Sequence, residues 1–232
     1  MKPGDRVAAV IDTRDYETFR YLLIATKNGM VKKTLFREYD SSRREGIIAI
    51  KLREGDEVVR VSPTSGNDDV LLITKQGKAI RFKEELVRPM GRTATGVIGI
   101  RLKGEGDEVV ASDVVGKTNS KAELLIVTEF GRGKRTKLPD FPRKGRGGQG
   151  VIAAKLTKQG GLIVGASVVV PDDEIFVISD DGVVIRMAVG SISRQGRPAT
   201  GVRVMNVAPG AHVSSIAPVV AEIDDGQGKL ST

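Results

Sequence analysis

Hydrophobic residues along this chain fall in short runs, not at helical spacing. Runs at residues 22–26, 70–74, 124–128 and 175–179 are each followed by a polar step and a glycine, at Gly29, Gly77, Gly131 and Gly182. Asn28-Gly29 and Asp181-Gly182, set between apolar-rich runs, are strong signals for a two-residue hairpin. The primed turn of such a hairpin needs positive φ, which glycine adopts without a Cβ clash. Gln76-Gly77 and Phe130-Gly131 take the same place with poorer first residues. No stretch of about 12 residues carries the apolar stripe of a helix, and residues 83–87 have room for one turn at most. The pattern predicts an all-β chain.

The pattern also repeats. A Gly-Asp-x-Val phrase precedes the apolar run at Gly4-Asp5-Arg6-Val7, Gly55-Asp56-Glu57-Val58 and Gly106-Asp107-Glu108-Val109, with a degenerate fourth copy at Gly161-Leu162-Ile163-Val164. A closing glycine (Gly46, Gly96, Gly150, Gly201) leads into another β-rich run, and these glycines stand 50, 54 and 51 residues apart. Units of this size with about four short strands predict propeller-like blades, since a lone sheet would leave one apolar face wet. The expected blades are residues 4–53, 54–103, 104–157 and 158–208, followed by the start of an incomplete unit and a flexible tail at 218–232. Pro-, Gly- or Ser-rich linkers between units are missing, which argues against four independent modules.

Composition narrows the chemistry. With no cysteine, no tryptophan and one histidine, His212, the chain has almost nothing from which to build a thiolate, a histidine-rich metal site or a Ser-His-Asp triad. An apolar stretch of about 18 residues, enough for a membrane helix, is absent. The net charge is +8, and residues 221–232 hold three acids against one lysine, so the remaining body is more basic still, at +10. A basic body suits a polyanionic partner.

The cations recur at fixed places. Four residues beyond the turn glycines stand Lys33, Arg81, Arg135 and Arg186, with Lys32 beside the first. Five beyond the closing glycines stand Lys51, Arg101 and Lys155, the series ending at Asn206. Four before the closing glycines stand Arg92, Arg146 and Arg197, where the first repeat has Ser42 next to Arg43. Equivalent positions in stacked blades lie around one rim, so these series predict a curved basic belt able to follow a phosphate backbone. The competing reading, charges that merely solvate strand edges, expects Lys and Glu to mix at such positions, whereas Lys and Arg alone fill the first series. The densest segment is 132–150, with Arg132, Lys134, Arg135, Lys137, Arg143, Lys144 and Arg146 against Asp140 alone. Its end, Lys144-Gly145-Arg146-Gly147-Gly148-Gln149-Gly150, offers backbone N–H groups as well as cations. At 4% aromatic residues, the chain is poorly equipped to stack splayed bases, which points to duplex and not to single strands.

The phrases Ala25-Thr26-Lys27-Asn28-Gly29-Met30-Val31-Lys32-Lys33-Thr34, Val87-Arg88-Pro89-Met90-Gly91-Arg92-Thr93-Ala94-Thr95-Gly96-Val97 and Gly133-Lys134-Arg135-Thr136 resemble the C-terminal domains of DNA gyrase A proteins, in order and over residues 4–217. The resemblance implies a β-pinwheel, a propeller-like disc whose blades exchange strands and whose basic rim wraps duplex DNA. It also implies a heterotetramer with gyrase B, the ATPase protein, a bacterial cytoplasmic setting, and an accessory domain with no cofactor and no catalytic residues of its own. That family usually has six blades, so the four here read as the last four. The family's basic glycine-rich box is then expected upstream, as is the breakage-reunion domain, and Tyr16, Tyr21 and Tyr39 match no active-site motif. The equivalent domain of topoisomerase IV is the alternative within this class, and a protein-binding propeller scaffold is the alternative outside it. The DNA-contacting residues expected are Lys32, Lys33, Arg81, Arg92, Arg132, Lys134, Arg135, Arg143, Lys144, Arg146, Arg186 and Arg197.

Other motifs carry less. Residues 145–150 satisfy G-x-G-x-x-G, but a strand and no helix should follow. Gly116-Lys117-Thr118 lacks the glycine five residues before it, where Ala111 stands. Asp68-Asp69 and Asp172-Asp173 read as solvated turns, and His212 as a surface or partly packed residue.

Overall fold

The computed structural model describes residues 7, 9–11, 19–40, 46–116 and 121–219. Gly4-Asp5-Arg6, Tyr16, Ser42-Arg43, Lys117-Thr118 and all but the first two residues of the expected tail lie outside them. Among the described residues, fifteen strands form four antiparallel sheets, the blades of a propeller. The first blade joins β1 (Tyr21–Thr26) and β2 (Met30–Leu35) to β3 (Val58–Thr64) and the short β6 (Val97–Ile98), in the order β3-β1-β2-β6. The second joins β4 (Asp69–Thr74) and β5 (Lys78–Lys83) to β7 (Val109–Val115) and β10 (Val151–Ile152). The third joins β8 (Glu123–Thr128) and β9 (Arg132–Lys137) to β11 (Ile163–Val169) and β14 (Val202–Arg203). The fourth has three described strands, β12 (Glu174–Ser179), β13 (Val184–Ala188) and β15 (Val213–Pro218).

Each of the first three blades is therefore a hairpin from one repeat closed on both sides by strands of later ones. The sheets cut across the units read from the sequence. The Gly-Asp-x-Val phrase explains part of this exchange. Asp56 accepts hydrogen bonds from the Thr26 hydroxyl at 2.7 Å and the Asn28 amide at 2.9 Å, so it clamps the preceding hairpin turn. Asp107 does the same for the Gln76 amide at 3.0 Å. In the last blade the roles reverse, and Asp180 of the turn accepts from the His212 amide at 2.8 Å.

The turn glycines serve the exchange as well. The carbonyl of Gly29 accepts from the amides of Gly99 and Ile100, that of Gly77 from Ala153 and Ala154, and that of Gly131 from Val204 and Met205. A Cβ at Gly131, whose φ is +72°, would stand 2.2 Å from the Met205 carbonyl oxygen, whereas one at Gly182 would meet nothing within 4 Å. Gly182 caps the hairpin that has no fourth strand among the described residues.

Three apolar cores lie between successive blades. Leu23 and Val31 pack with Leu72, Ile80 and Phe82. Leu71 and Ile73 pack with Leu124, Ile126 and Phe141, and Leu125 and Val127 with Ile175 and Val177. β4 and β8, sandwiched between neighbours, are buried throughout, while β12 in the end blade alternates between buried and half-buried. β3, β7, β11 and β15 all line one central cleft of about 190 Å³. The opposite sheet edges, where β6, β10 and β14 lie, thus form the outer rim.

Candidate nucleic-acid interface

The series four residues beyond the turn glycines does not form the rim that the sequence led us to expect. Lys33 is 3% exposed; its ammonium lies 4.9 Å from the Tyr21 ring centre and donates to the Glu84 carbonyl at 3.1 Å. Arg81 pairs with Asp69 at 2.6 Å and donates to the Leu138 carbonyl at 3.0 Å. Arg135 pairs with Glu123 at 2.5 Å and donates to the carbonyls of Ile192 and Gly190 at 2.8 and 3.0 Å. Glu84, Leu138 and Gly190 all belong to 3-10 turns of the following blade. Lys33, Arg81 and Arg135 each reach from their own strand into the next blade and satisfy backbone carbonyls there, which Glu could not do. Arg186 has no following blade among the described residues, and its pair with Glu174 is more than half exposed on the arginine side. Lys32 and Lys134 are buried too, at 0% and 1% exposure. These inward placements correct the expectation that Lys32, Lys33, Arg81, Lys134 and Arg135 face a partner.

The other two series come together. Lys51 donates its amide to the Ala94 carbonyl at 3.4 Å, while Arg92 donates its guanidinium to the Ile48 carbonyl at 3.1 Å. Arg101 and Arg146 meet in the same way, through the Arg101 amide on Gly148 at 2.9 Å and the Arg146 guanidinium on Ile98 at 2.7 Å. Lys155 and Arg197 meet through the Lys155 amide on Ala199 at 3.2 Å and the Arg197 guanidinium on Ile152 at 3.0 Å. Residues far apart in sequence are thereby paired at three successive junctions on the rim. Lys51, Arg101 and Lys155 are exposed. Each rim guanidinium has five N–H donors and uses one or two on carbonyls, leaving the others for a ligand.

Arg143 is 56% exposed, with its Nε held by both oxygens of Asp69 at 3.0 and 2.7 Å. Arg194 repeats this arrangement on Glu123, at 3.4 Å and equal exposure. Arg194 is a rim cation that the repeat series leave out, and the sign for it is its place three residues before Arg197, as Arg143 stands before Arg146. Lys144 is exposed beside Arg143, and Arg132 is half-buried with one bond to the Gly201 carbonyl at 3.3 Å. Tyr21 and Tyr39 have structural places, under Lys33 and beside the Lys32 ammonium. Among the described residues there is no cluster of metal-ligating side chains.

The model of the family described as DNA gyrase C-terminal domain, beta-propeller, matches residues 20–65, 68–115, 122–169 and 173–219, one segment per blade. The chain belongs to that family. The gyrase-type domain is 41% identical over 225 residues to the DNA gyrase A protein of Salmonella typhimurium, covering 97% of this chain and 25% of that protein. It is also 41% identical over 219 residues to the DNA gyrase A protein of Mycolicibacterium smegmatis, covering 94% of this chain and 26% of the relative. The chain thus spans about a quarter of the length of these relatives. Among solved structures, the C-terminal domain of DNA topoisomerase IV aligns with TM-score 0.84 and 31% identity, over 91% of this chain and 65% of the other. A DNA gyrase A C-terminal domain aligns with TM-score 0.79 and 30% identity, over 90% and 68%.

Proposed function

We propose that this gyrase-type domain binds duplex DNA along its outer rim and bends it, as an accessory to a type II topoisomerase. The observation that carries the reading is the recurrence of a cation pair at three successive blade junctions: Lys51 with Arg92, Arg101 with Arg146, and Lys155 with Arg197. Arg143, Lys144 and Arg194 add charge beside two of them. Cations repeated along an arc neutralise successive phosphates, and the counterions released favour binding of any sequence. A curved array gains its full contact only when the duplex follows it, so binding energy is converted into bending.

In this reading the domain carries no chemical step. It belongs to a gyrase A protein that works with gyrase B in a heterotetramer in the bacterial cytoplasm, and it presents a wrapped segment to the strand-passage machinery. The topoisomerase IV likeness supports a second assignment, the equivalent domain of that enzyme. The test is binding and circularisation of duplex fragments near the persistence length, about 150 base pairs. Fragments of unrelated sequence should bind within about tenfold of one another, and the domain should speed their closure. A single site bound roughly a thousandfold tighter, or closure left unchanged, refutes sequence-tolerant bending.

A further inference from the structure

The residue three positions beyond each turn glycine runs Lys32, Ile80, Lys134, Ile185 along the chain. An isoleucine is the ordinary occupant of such an interior strand position. Burying an ammonium there is costly unless its donors are met. Both lysines find their acceptors in one place. Lys32 Nζ donates to the carbonyls of Ala49 and Arg92 at 2.6 Å each and to the Tyr39 hydroxyl at 3.3 Å. Lys134 Nζ donates to the carbonyls of Gly196, at 2.8 Å, and Arg197. Arg92 and Arg197 are the rim arginines of the first and third junctions.

The loop sequence varies with the residue beneath it. Over the lysine blades run Gly91-Arg92-Thr93-Ala94-Thr95-Gly96 and Gly196-Arg197-Pro198-Ala199-Thr200-Gly201, sharing Gly-Arg-x-Ala-Thr-Gly. Over Ile80 runs Gly145-Arg146-Gly147-Gly148-Gln149-Gly150, and a Cβ at Gly148 would lie 3.6 Å from the Ile80 side chain. Bare glycine backbone covers the apolar side chain, whereas the loops without those central glycines are held from below by an ammonium.

We propose that Lys32 and Lys134 are positioning residues for DNA binding: from inside their blades they fix the closing loops so that Arg92 and Arg197 face the duplex. This role rests on the DNA-binding reading above. Burial holds both ammoniums down at about 8, with Glu38 opposing and Arg92 adding to the effect at Lys32, and Arg197 adding to it at Lys134. As pH rises through that value each ammonium loses its charge and one donor, which leaves Lys32 one donor short of its three acceptors and weakens the two bonds of Lys134.

The test uses the whole chain, as wild type and with Lys32→Ile plus Lys134→Ile, the residue blades two and four already carry. The amides of Ala94 and Ala199, which close their loops on Gly91 and Gly196, should exchange with solvent about tenfold faster in the variant, while that of Gly147 holds its rate. Duplex affinity should weaken about three- to tenfold with an unchanged salt slope, since neither lysine touches phosphate. Lys155→Ile, which removes an exposed cation, should instead lower the slope by about 0.9. Wild-type affinity should fall between about pH 7 and pH 9, and the variant's should not. This wild-type arm and the two single substitutions decide the matter if the double variant fails to fold. Unchanged loop exchange together with unchanged affinity overturns the lysine role alone. A wild type without salt-dependent duplex binding overturns the DNA reading and the role with it.

Discussion

Replacing Arg135 by methionine separates an inward cation from a rim cation. Arg135 neutralises Glu123, which is 3% exposed, and satisfies two carbonyls of the next blade. Breaking a buried pair by removing one partner costs about 3–5 kcal/mol, because the charge left behind has no water to turn to. Arg194 still lies 3.4 Å from Glu123, which places the expected loss near the lower end. A chain of about this size loses roughly 2–4 °C of midpoint per kcal/mol, so thermal unfolding should drop by about 6–12 °C. Arg186→Met removes the repeat-equivalent cation where no following blade is described, and its midpoint should stay within the scatter of surface substitutions. Adding Glu123→Leu to Arg135→Met should restore most of the loss, since the uncompensated charge then disappears. The assay is thermal unfolding of the wild type and these three variants, followed by circular dichroism. Equal midpoints for Arg135→Met and Arg186→Met, or no recovery in the double variant, would refute the inward reading of this series.

Three further outcomes rest on the same geometry. Gly131→Ala should destabilise far more than Gly182→Ala in denaturant titration, because both impose a strained positive φ of about 1–2 kcal/mol but Gly131 also meets the Met205 carbonyl. Lys32 and Lys134 titrate at about 8 in the folded chain against 10.5 when free, so between these values the unfolded chain binds more protons. Their contribution to stability should therefore rise with pH across that window, and Lys32→Ile plus Lys134→Ile should flatten the rise in denaturant midpoint. Removing Arg143, Lys144 and Arg146 together should weaken duplex binding in a gel shift with little loss of stability, whereas removing Lys33, Arg81 and Arg186 together should lower the unfolding midpoint first.

Much of the fold was legible because glycine marks it. The turn and closing glycines carry positive φ throughout, so their spacing announced four hairpins and the strands that dock on them. The strand exchange was not legible from the residues, since Asp56 acts on Thr26 and Asn28, about 30 positions away, and nothing local to Gly55-Asp56 signals a distant turn. The rim was half legible. Periodicity placed Lys51, Arg92, Arg101, Arg146, Lys155 and Arg197 at equivalent points, but the same periodicity is produced by blade-to-blade stitching at Lys33, Arg81 and Arg135. Acids at the start of the preceding strand, Asp69, Glu123 and Glu174, sit across the hairpin from Arg81, Arg135 and Arg186 and were the available sign that those charges were already matched. Lys32 and Lys134 carried no sign of burial except their alternation with Ile80 and Ile185.

The central claim is that outward cations at three blade junctions hold duplex DNA, and salt dependence tests it most directly. Binding of a linear duplex should be titrated at about 50–200 mM salt for the wild type and for a variant with Lys51, Arg92, Arg101, Arg146, Lys155 and Arg197 all changed to alanine. With roughly 0.9 of slope per neutralised phosphate, loss of six contacts should flatten log K against log salt by about 5, in a protein whose unfolding midpoint shows it folded. A folded variant that binds with wild-type affinity and slope would contradict the account.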